Sequence, residues 1–443
     1  MKTLIKIGLI GGMFLVMCTV QVFAQMVGAP YMPYVKPVTI PANLTLGQNA
    51  KYMLASIYDA DYLPYTTPTA TAITGAVAAD GTAESTVINI QGSISTTGVT
   101  VYIPATATGS GILGVYSTTI TVPAGMTEDG VSRNLTLSWA AQAYTKASIS
   151  ITATLAAVGG TFNAKKLDIN GGMGNDFLGV LLGSFSYPYN NAGATTTYQV
   201  RDMAGIPDRM FGKYDIGNTS TYEHNFIYVP VVGEDGNIWL NNNLGADYAN
   251  ISSSSFSPAT QATAYNDYHA YGSLFQWGRC PDGHELISWS TGTTGTLKYG
   301  TTTTLSTTDT PNSARFIINP SVTSADWRSP TNDNLWQGEA GTNTPCPNGF
   351  RMPTFLELIT LFNYYGGSVE GGYDSAMKFT TCMNVSHVDG TITYDFAPSG
   401  TFWSGNVWDT GSQYAFGVRL VGGGSTYGSF FRSDGNAVRC IKN

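Results

Sequence analysis

Charge is scarce in this chain. Only 11% of the 443 residues are Asp, Glu, Lys or Arg, and they leave a formal net charge of −8. A nucleic-acid surface needs clustered Lys and Arg to displace counterions from phosphate, so no nucleic acid is expected as a partner. Histidine is scarcer still, with four residues, and the five cysteines never form Cys-x-x-Cys or any other zinc spacing. There is no Gly-x-Ser-x-Gly elbow, and no pair of acidic residues is spaced to single out a general acid and base. The chain therefore reads as non-catalytic, with no cofactor and no metal.

Long apolar runs are also missing, with one exception at the start. Lys2 and Lys6, the apolar stretch Ile7 to Val20 and the small-residue site Val22-Phe23-Ala24 make residues 1–24 a signal peptide. Cys18 follows Leu15-Val16-Met17, a lipoprotein-like setting that the bulky Met17 argues against. Removing Lys2 and Lys6 with the signal leaves 19 basic against 29 acidic residues. No later run approaches the roughly 18 residues of a membrane span, so no transmembrane segment is expected after signal removal. The expected location is extracellular or on the outer cell surface. In that setting the remaining Cys280, Cys346, Cys382 and Cys440 read as disulfides, with three possible connectivities.

What is abundant is glycine, at 51 residues, together with 26 Tyr and 8 Trp. That composition suits an extracellular β-protein that binds through hydroxyls, amides and aromatic faces. After an N-terminal segment, 25–68, short strands follow one another over 69–170. Leu135, Leu137 and Trp139 alternate with Thr136 and Ser138, and Ile149, Ile151 and Leu155 alternate with Ser148, Ser150, Thr152 and Thr154. Turn signals at Asp129-Gly130 and Gly159-Gly160 fall at the spacing of an immunoglobulin-like β-sandwich. Gly109 to Gly114, GSGILG, matches the dinucleotide fingerprint, but a β-branched strand pattern follows where a helix is needed, so it reads as a hairpin turn. Residues 171–222 read as a connector.

The stretch from Cys346 to Cys440 carries the clearest local signals. Thr354 and Glu357 form a capping box, the helix runs from about Phe355 to Tyr365, and Gly366-Gly367 ends it. Phe416, Val418 and Leu420 alternate in a strand, and Val438 and Cys440 point inward from a last one. A cysteine before the helix and another in that final strand are placed to close a bridge, which leaves Cys280 to pair with Cys382. Upstream, Glu234-Asp235-Gly236-Asn237 turns a hairpin.

Five ordered blocks in this half, DGNIWLNNNLG (235–245), YGSLFQW (271–277), CPNGFRMPT (346–354), FWSGN (402–406) and VRC (438–440), resemble the Fibrobacter succinogenes major paralogous domain family. The resemblance covers about residues 223–443 and implies a C-type lectin-like α+β domain. The fold class expected is thus mainly β with one or two short helices, a sandwich followed by that domain. The calcium triplets of many lectin-like domains are absent, since Trp403 is followed by Ser404-Gly405-Asn406. FRMPTFLEL also resembles the helix start of formylglycine-generating sulfatase modifiers, but their close thiol pair has no counterpart beside Cys440. Asp267-x-His269 and Asp282-x-His284 carry metal-like ligand types and read as turn and packing residues. The candidate ligand-binding set is Asn406, Trp408, Asp409, Tyr414, Tyr427, Arg432, Asp434 and Asn436, on loops and strand ends near the C-terminus. A recognition protein for a glycan or protein ligand is the expected function, with a structural or assembly subunit of a surface layer or fibre as the alternative.

Overall fold

Alternation explains most of the N-terminal half. In the computed structural model, which describes residues 39–58, 92–174, 179–394 and 398–443 and the backbone of 71–77 and 83–88, the strand Arg133–Trp139 buries Leu135, Leu137 and Trp139. Val101 and Ile103, then Ile151, Ala153 and Leu155, do the same in Val99–Ala107 and Ser150–Val158. An antiparallel five-stranded sheet results, in the order Leu44–Leu46, Val99–Ala107, Ser150–Val158, Arg133–Trp139, Tyr116–Val122. GSGILG falls in the strand Gly111–Leu113 and the turn after it, and leads into another strand. The signal sequence and most of the expected 25–68 segment lie outside the described residues.

The second sheet departs from expectation in membership and direction. Its order is Val180–Pro188, Thr195–Pro207, Ala50–Ile57, Ala83–Ile88, Thr71–Val77, so strands from both the N-terminal segment and the connector join those of 69–170. Ala50–Ile57 is parallel to both its neighbours, whereas an immunoglobulin sandwich is antiparallel. The physical reason is visible in the strand itself. Ala50 to Ser56 are all buried, the double-sided burial that turns alternation into a continuous run in a parallel strand. Tyr52, Leu54, Phe185, Tyr187, Tyr198 and Val200 of this sheet share one apolar core with the first sheet.

Beyond residue 223 the strands shorten. Pro230–Val232, Ile238–Leu240, Ile441–Lys442 and Phe350–Arg351 form one small sheet, its hairpin turned at Gly236 with φ of 78°. Ser399–Val407, Tyr414–Val421 and Gly424–Phe431 form another. The helices Phe355–Tyr364 and Val369–Asp374 cover this second sheet, with Leu358, Leu361, Phe362 and Val369 meeting Phe402, Val418 and Leu420. Thr354 Oγ1 accepts from the Glu357 N–H and the Glu357 carboxylate accepts from the Thr354 N–H at 2.7 Å, which is the expected capping box. Gly366 and Gly367, both at positive φ, end the helix.

Cys346 and Cys440 are bridged, with Cα atoms 5.8 Å apart and a sequence separation of 94. Closing so long a loop contributes on the order of 4 kcal/mol in the chain-entropy account. The second expected bridge does not form, and Cys280 and Cys382 are free thiols. Cys382 is enclosed in the same apolar core as Phe379 and Phe402, whereas Cys280 lies beside Asp282.

Buried polar side chains do in this half what ladders do in the other. Asn241 accepts from Val229 N–H and donates to Pro258 O, Asn242 donates to Thr260 O, and Asn243 donates to Tyr271 O. Arg439, 1% exposed, donates to Asn243 Oδ1 and to the carbonyls of Leu240, Asn241 and Met377, and lies over the Phe379 ring. Trp277 and Trp403 donate to Ser404 O and Phe275 O. The two halves also share apolar contacts, because Tyr58, Leu167 and Ile206 cluster with Trp277, Phe350 and the Cys346–Cys440 bridge.

Candidate functional site

The helix start positions the surface proposed from sequence. Asn406 Oδ1 accepts from the Phe355 N–H at 2.7 Å, so the end of the Ser399–Val407 strand is pinned to the first turn of the helix. Asn406 is thereby committed to positioning. Glu357 is held from the other side by Arg351, at 2.7 and 2.8 Å, and this partner with the Thr354 bonds outweighs burial and keeps its carboxyl below the usual range. Phe355 can then stack on Phe416, with centroids 4.0 Å apart. Trp408 leans on Phe416 at 4.8 Å, and Tyr427 meets Phe355 edge-on at 6.5 Å. Phe416, expected to point into the core, is only half-buried for this reason. Trp408 is 49% and Tyr427 56% exposed, whereas Trp403 is fully buried. Four aromatic rings thus make a row that is open to solvent at both ends.

Tyr414 and Asp434 lie at a different place. Tyr414 packs on Phe431 at 4.8 Å, His387 packs on the same ring at 4.3 Å, and His387 Nδ1 is 2.6 Å from Asp434 Oδ1. These groups, with Asn384, Arg419 and Ser429, line a hollow of about 330 Å³. Asp409 is exposed and its carboxylate accepts from the Thr410 N–H. Arg432 and Asn436 are not on the surface, with 1% exposure each. Arg432 ion-pairs with Asp333 and lies over the Trp277 ring, while Asn436 belongs to a strand paired with Phe275–Gln276. The candidate set therefore divides into Trp408 and Tyr427 on an exposed aromatic row, Tyr414 and Asp434 at a polar hollow, Asp409 on an exposed turn, and Asn406, Arg432 and Asn436 in structural roles.

The histidine and aspartate pairs also separate. Asp267 caps the turn at 268–270 and accepts from Tyr248, while His269 turns to Asp247 at 2.7 Å. At the second pair, Asp282, His284 and Glu285 bring their ligand atoms within 4.8 Å of one another. They do not fit a metal ion, because both imidazole nitrogens are already used. Nε2 accepts from the Gln276 N–H, so Nδ1 carries the proton and donates to Asp282 Oδ1 at 2.7 Å. Arg279 donates to the other oxygen of Asp282.

The sequence singles out neither His387 nor His224. His224 is buried with Nε2 3.2 Å from Asp215 and 3.4 Å from Glu285, and Nδ1 3.8 Å from Asp208. Burial works against its charge, but Asp215, Glu285 and Asp208 outweigh it and raise its pKa to about 9. Burial raises Asp208 to about 6 against the pull of His224. Asp215 meets the same burial, but His224 and the backbone N–H groups of Asn218 and Gly217 hold its carboxyl below the usual range. The cage joins the 208–224 segment to Glu285 in the C-terminal half. No local motif signals it, since its closure depends on Glu285, which is distant in the chain from the 208–224 segment. Burial pushes the thiols of Cys280 and Cys382 up to about 12, which keeps them protonated and poor nucleophiles.

Comparison with family models, curated proteins and solved structures gives no match to this chain.

Proposed function

We propose that this is an exported recognition protein whose C-terminal half, lectin-like in its motif blocks, binds a glycan across the row formed by Trp408, Phe416, Phe355 and Tyr427. The observation that carries the reading is the exposure of Trp408 and Tyr427 at the two ends of a stacked row, in contrast to Trp277 and Trp403, which are buried in the core. Aromatic faces stack on the apolar face of a sugar ring, which is the contact this row offers. Thiols held protonated support binding over thiol chemistry. A glycan and protein array probed with the purified protein tests the proposal. Glycan binding that Trp408→Ala abolishes supports it, and signals confined to protein spots would overturn the choice of ligand.

A second reading, assembly into a fibre or layer, has one observation in its favour. Gly424–Phe431 is an edge strand without charge or proline, the kind of edge that accepts another strand. Concentration-dependent polymerisation of the pure protein would favour this reading.

A further inference from the structure

A second, larger hollow shares no lining residue with the aromatic row. It holds about 570 Å³ and lies between the 209–219 segment and the loops at 280–282, 310–312 and 341–344. That volume is in the range of small-molecule sites, roughly 300–1,000 Å³. Met210, Tyr214, Ile216 and Pro281 supply apolar walls, and Tyr214 stacks on Tyr222 at 4.5 Å.

Every charged residue that lines the hollow is engaged elsewhere. Asp215 accepts from the Gly217 and Asn218 N–H groups with one oxygen and faces His224 with the other. Asp282 is taken by Arg279 and His284. Arg209 donates to the carbonyls of Cys346 and Glu339. The Cys280 thiol is kept neutral by burial. A charged ligand entering here would lose hydration without gaining a free opposite charge, at a cost that apolar contact does not offset. An uncharged ring would bury its faces on Tyr214, Ile216 and Met210. The wall is also preformed, because the His224 cage fixes Asp215 and with it the backbone that carries Tyr214 and Ile216.

We infer that this hollow is a second binding site, separate from the aromatic row, for an uncharged aromatic or alicyclic small molecule. The selection is by charge more than by shape. Among ligands of one size, neutral forms bind and both charged forms are rejected.

The test uses the full mature protein and the uncharged fluorophore N-phenyl-1-naphthylamine, displaced in turn by indole, indole-3-acetate and tryptamine. Saturable binding is expected, with indole displacing at a concentration at least tenfold lower than either charged analogue. Ile216→Asp places a charge on an exposed wall residue, 42% accessible, and should weaken the probe tenfold or more with an unchanged melting temperature. Trp408→Ala should leave probe binding intact, so failure of the glycan reading and failure of this one are separable. Absence of saturable fluorescence, displacement that ignores ligand charge, or wild-type affinity in Ile216→Asp would each overturn the inference.

Discussion

The two halves of this protein solve the same problem by different means. In the sandwich, backbone groups pair in long ladders, and side chains are left to divide into apolar and polar faces. In the C-terminal half most strands are two or three residues long, and the backbone groups that no ladder reaches are taken up by buried Asn, Gln, Arg and Trp side chains. Buried polar residues are few in the sandwich, where Ser56 and Asp202 pair with each other, and many in the C-terminal half. Arg432 and Asn436 look like surface residues in the sequence, where polarity alone does not separate a solvent contact from a buried one.

The largest effect should come from cutting the sandwich at its apparent boundaries. Residues 69–170 alone lack Ala50–Ile57 and Thr195–Pro207, the two strands at the middle of the second sheet. That fragment is expected to show no cooperative unfolding transition, and a sharp thermal transition by circular dichroism would break the comparison. Next, polar truncations should differ sharply between the halves. Arg439→Ala strands several buried carbonyls and should cost about 4 kcal/mol in urea denaturation, whereas Thr136→Ala, whose hydroxyl bonds Thr119 on the surface, should cost less than about 0.5. Equal costs would mean that the buried arginine is no staple.

The His224 cage gives a smaller effect with a defined sign. Its folded pKa of about 9 lies above the ordinary 6.5, so its stabilisation is whole below pH 6.5 and is lost as pH rises through 9. Asp208, raised to about 6, favours the folded state when protonated, and that contribution is gone above pH 6. Between pH 6.5 and 8.5, below the titration of the two thiols and of Arg439, the histidine dominates, and stability should fall by about 2 kcal/mol. His224→Gln should flatten that slope, and a slope unchanged in the variant would remove the cage from the account. Smallest on stability is Trp408→Ala, expected to shift unfolding by less than about 0.5 kcal/mol while glycan binding loses about 2 kcal/mol. Trp403→Ala, its buried counterpart, should instead cost about 3–5 kcal/mol of stability.

What was legible in the sequence was local or strongly periodic. The capping box at Thr354, the stop at Gly366-Gly367, the turn at Gly236 and the alternation of Leu135, Leu137 and Trp139 each depend on neighbours a few residues away. The Cys346–Cys440 bridge was readable because its cysteines flank recognisable elements. The pairing of Cys280 with Cys382 rests on elimination alone, whereas an apolar core such as that around Phe379 holds a thiol as readily as a methyl group. The parallel strand was hidden by its own burial, since a run apolar on both sides has no period to read. The binding surface was half legible. Trp408 and Tyr427 stand out by type, but the 209–219 segment becomes a wall, and His224 a cage, only when the distant 280–285 stretch packs against them.

The parallel pairing of Ala50–Ile57 with Thr195–Pro207 bears on timing. Tyr198 sits opposite Ala50, and the whole five-stranded sheet apart from Leu44–Leu46 intervenes between them along the chain. A polypeptide delivered from its N-terminus therefore presents one of the most apolar strands of its second sheet long before the partner exists. Contacts this distant in sequence slow folding and leave strand edges open to the wrong neighbour. A chain halted before residue 195 is a half-built sandwich, so release in one piece is a condition of its folding, and any holding factor would act on the exposed Ala50–Ile57 segment.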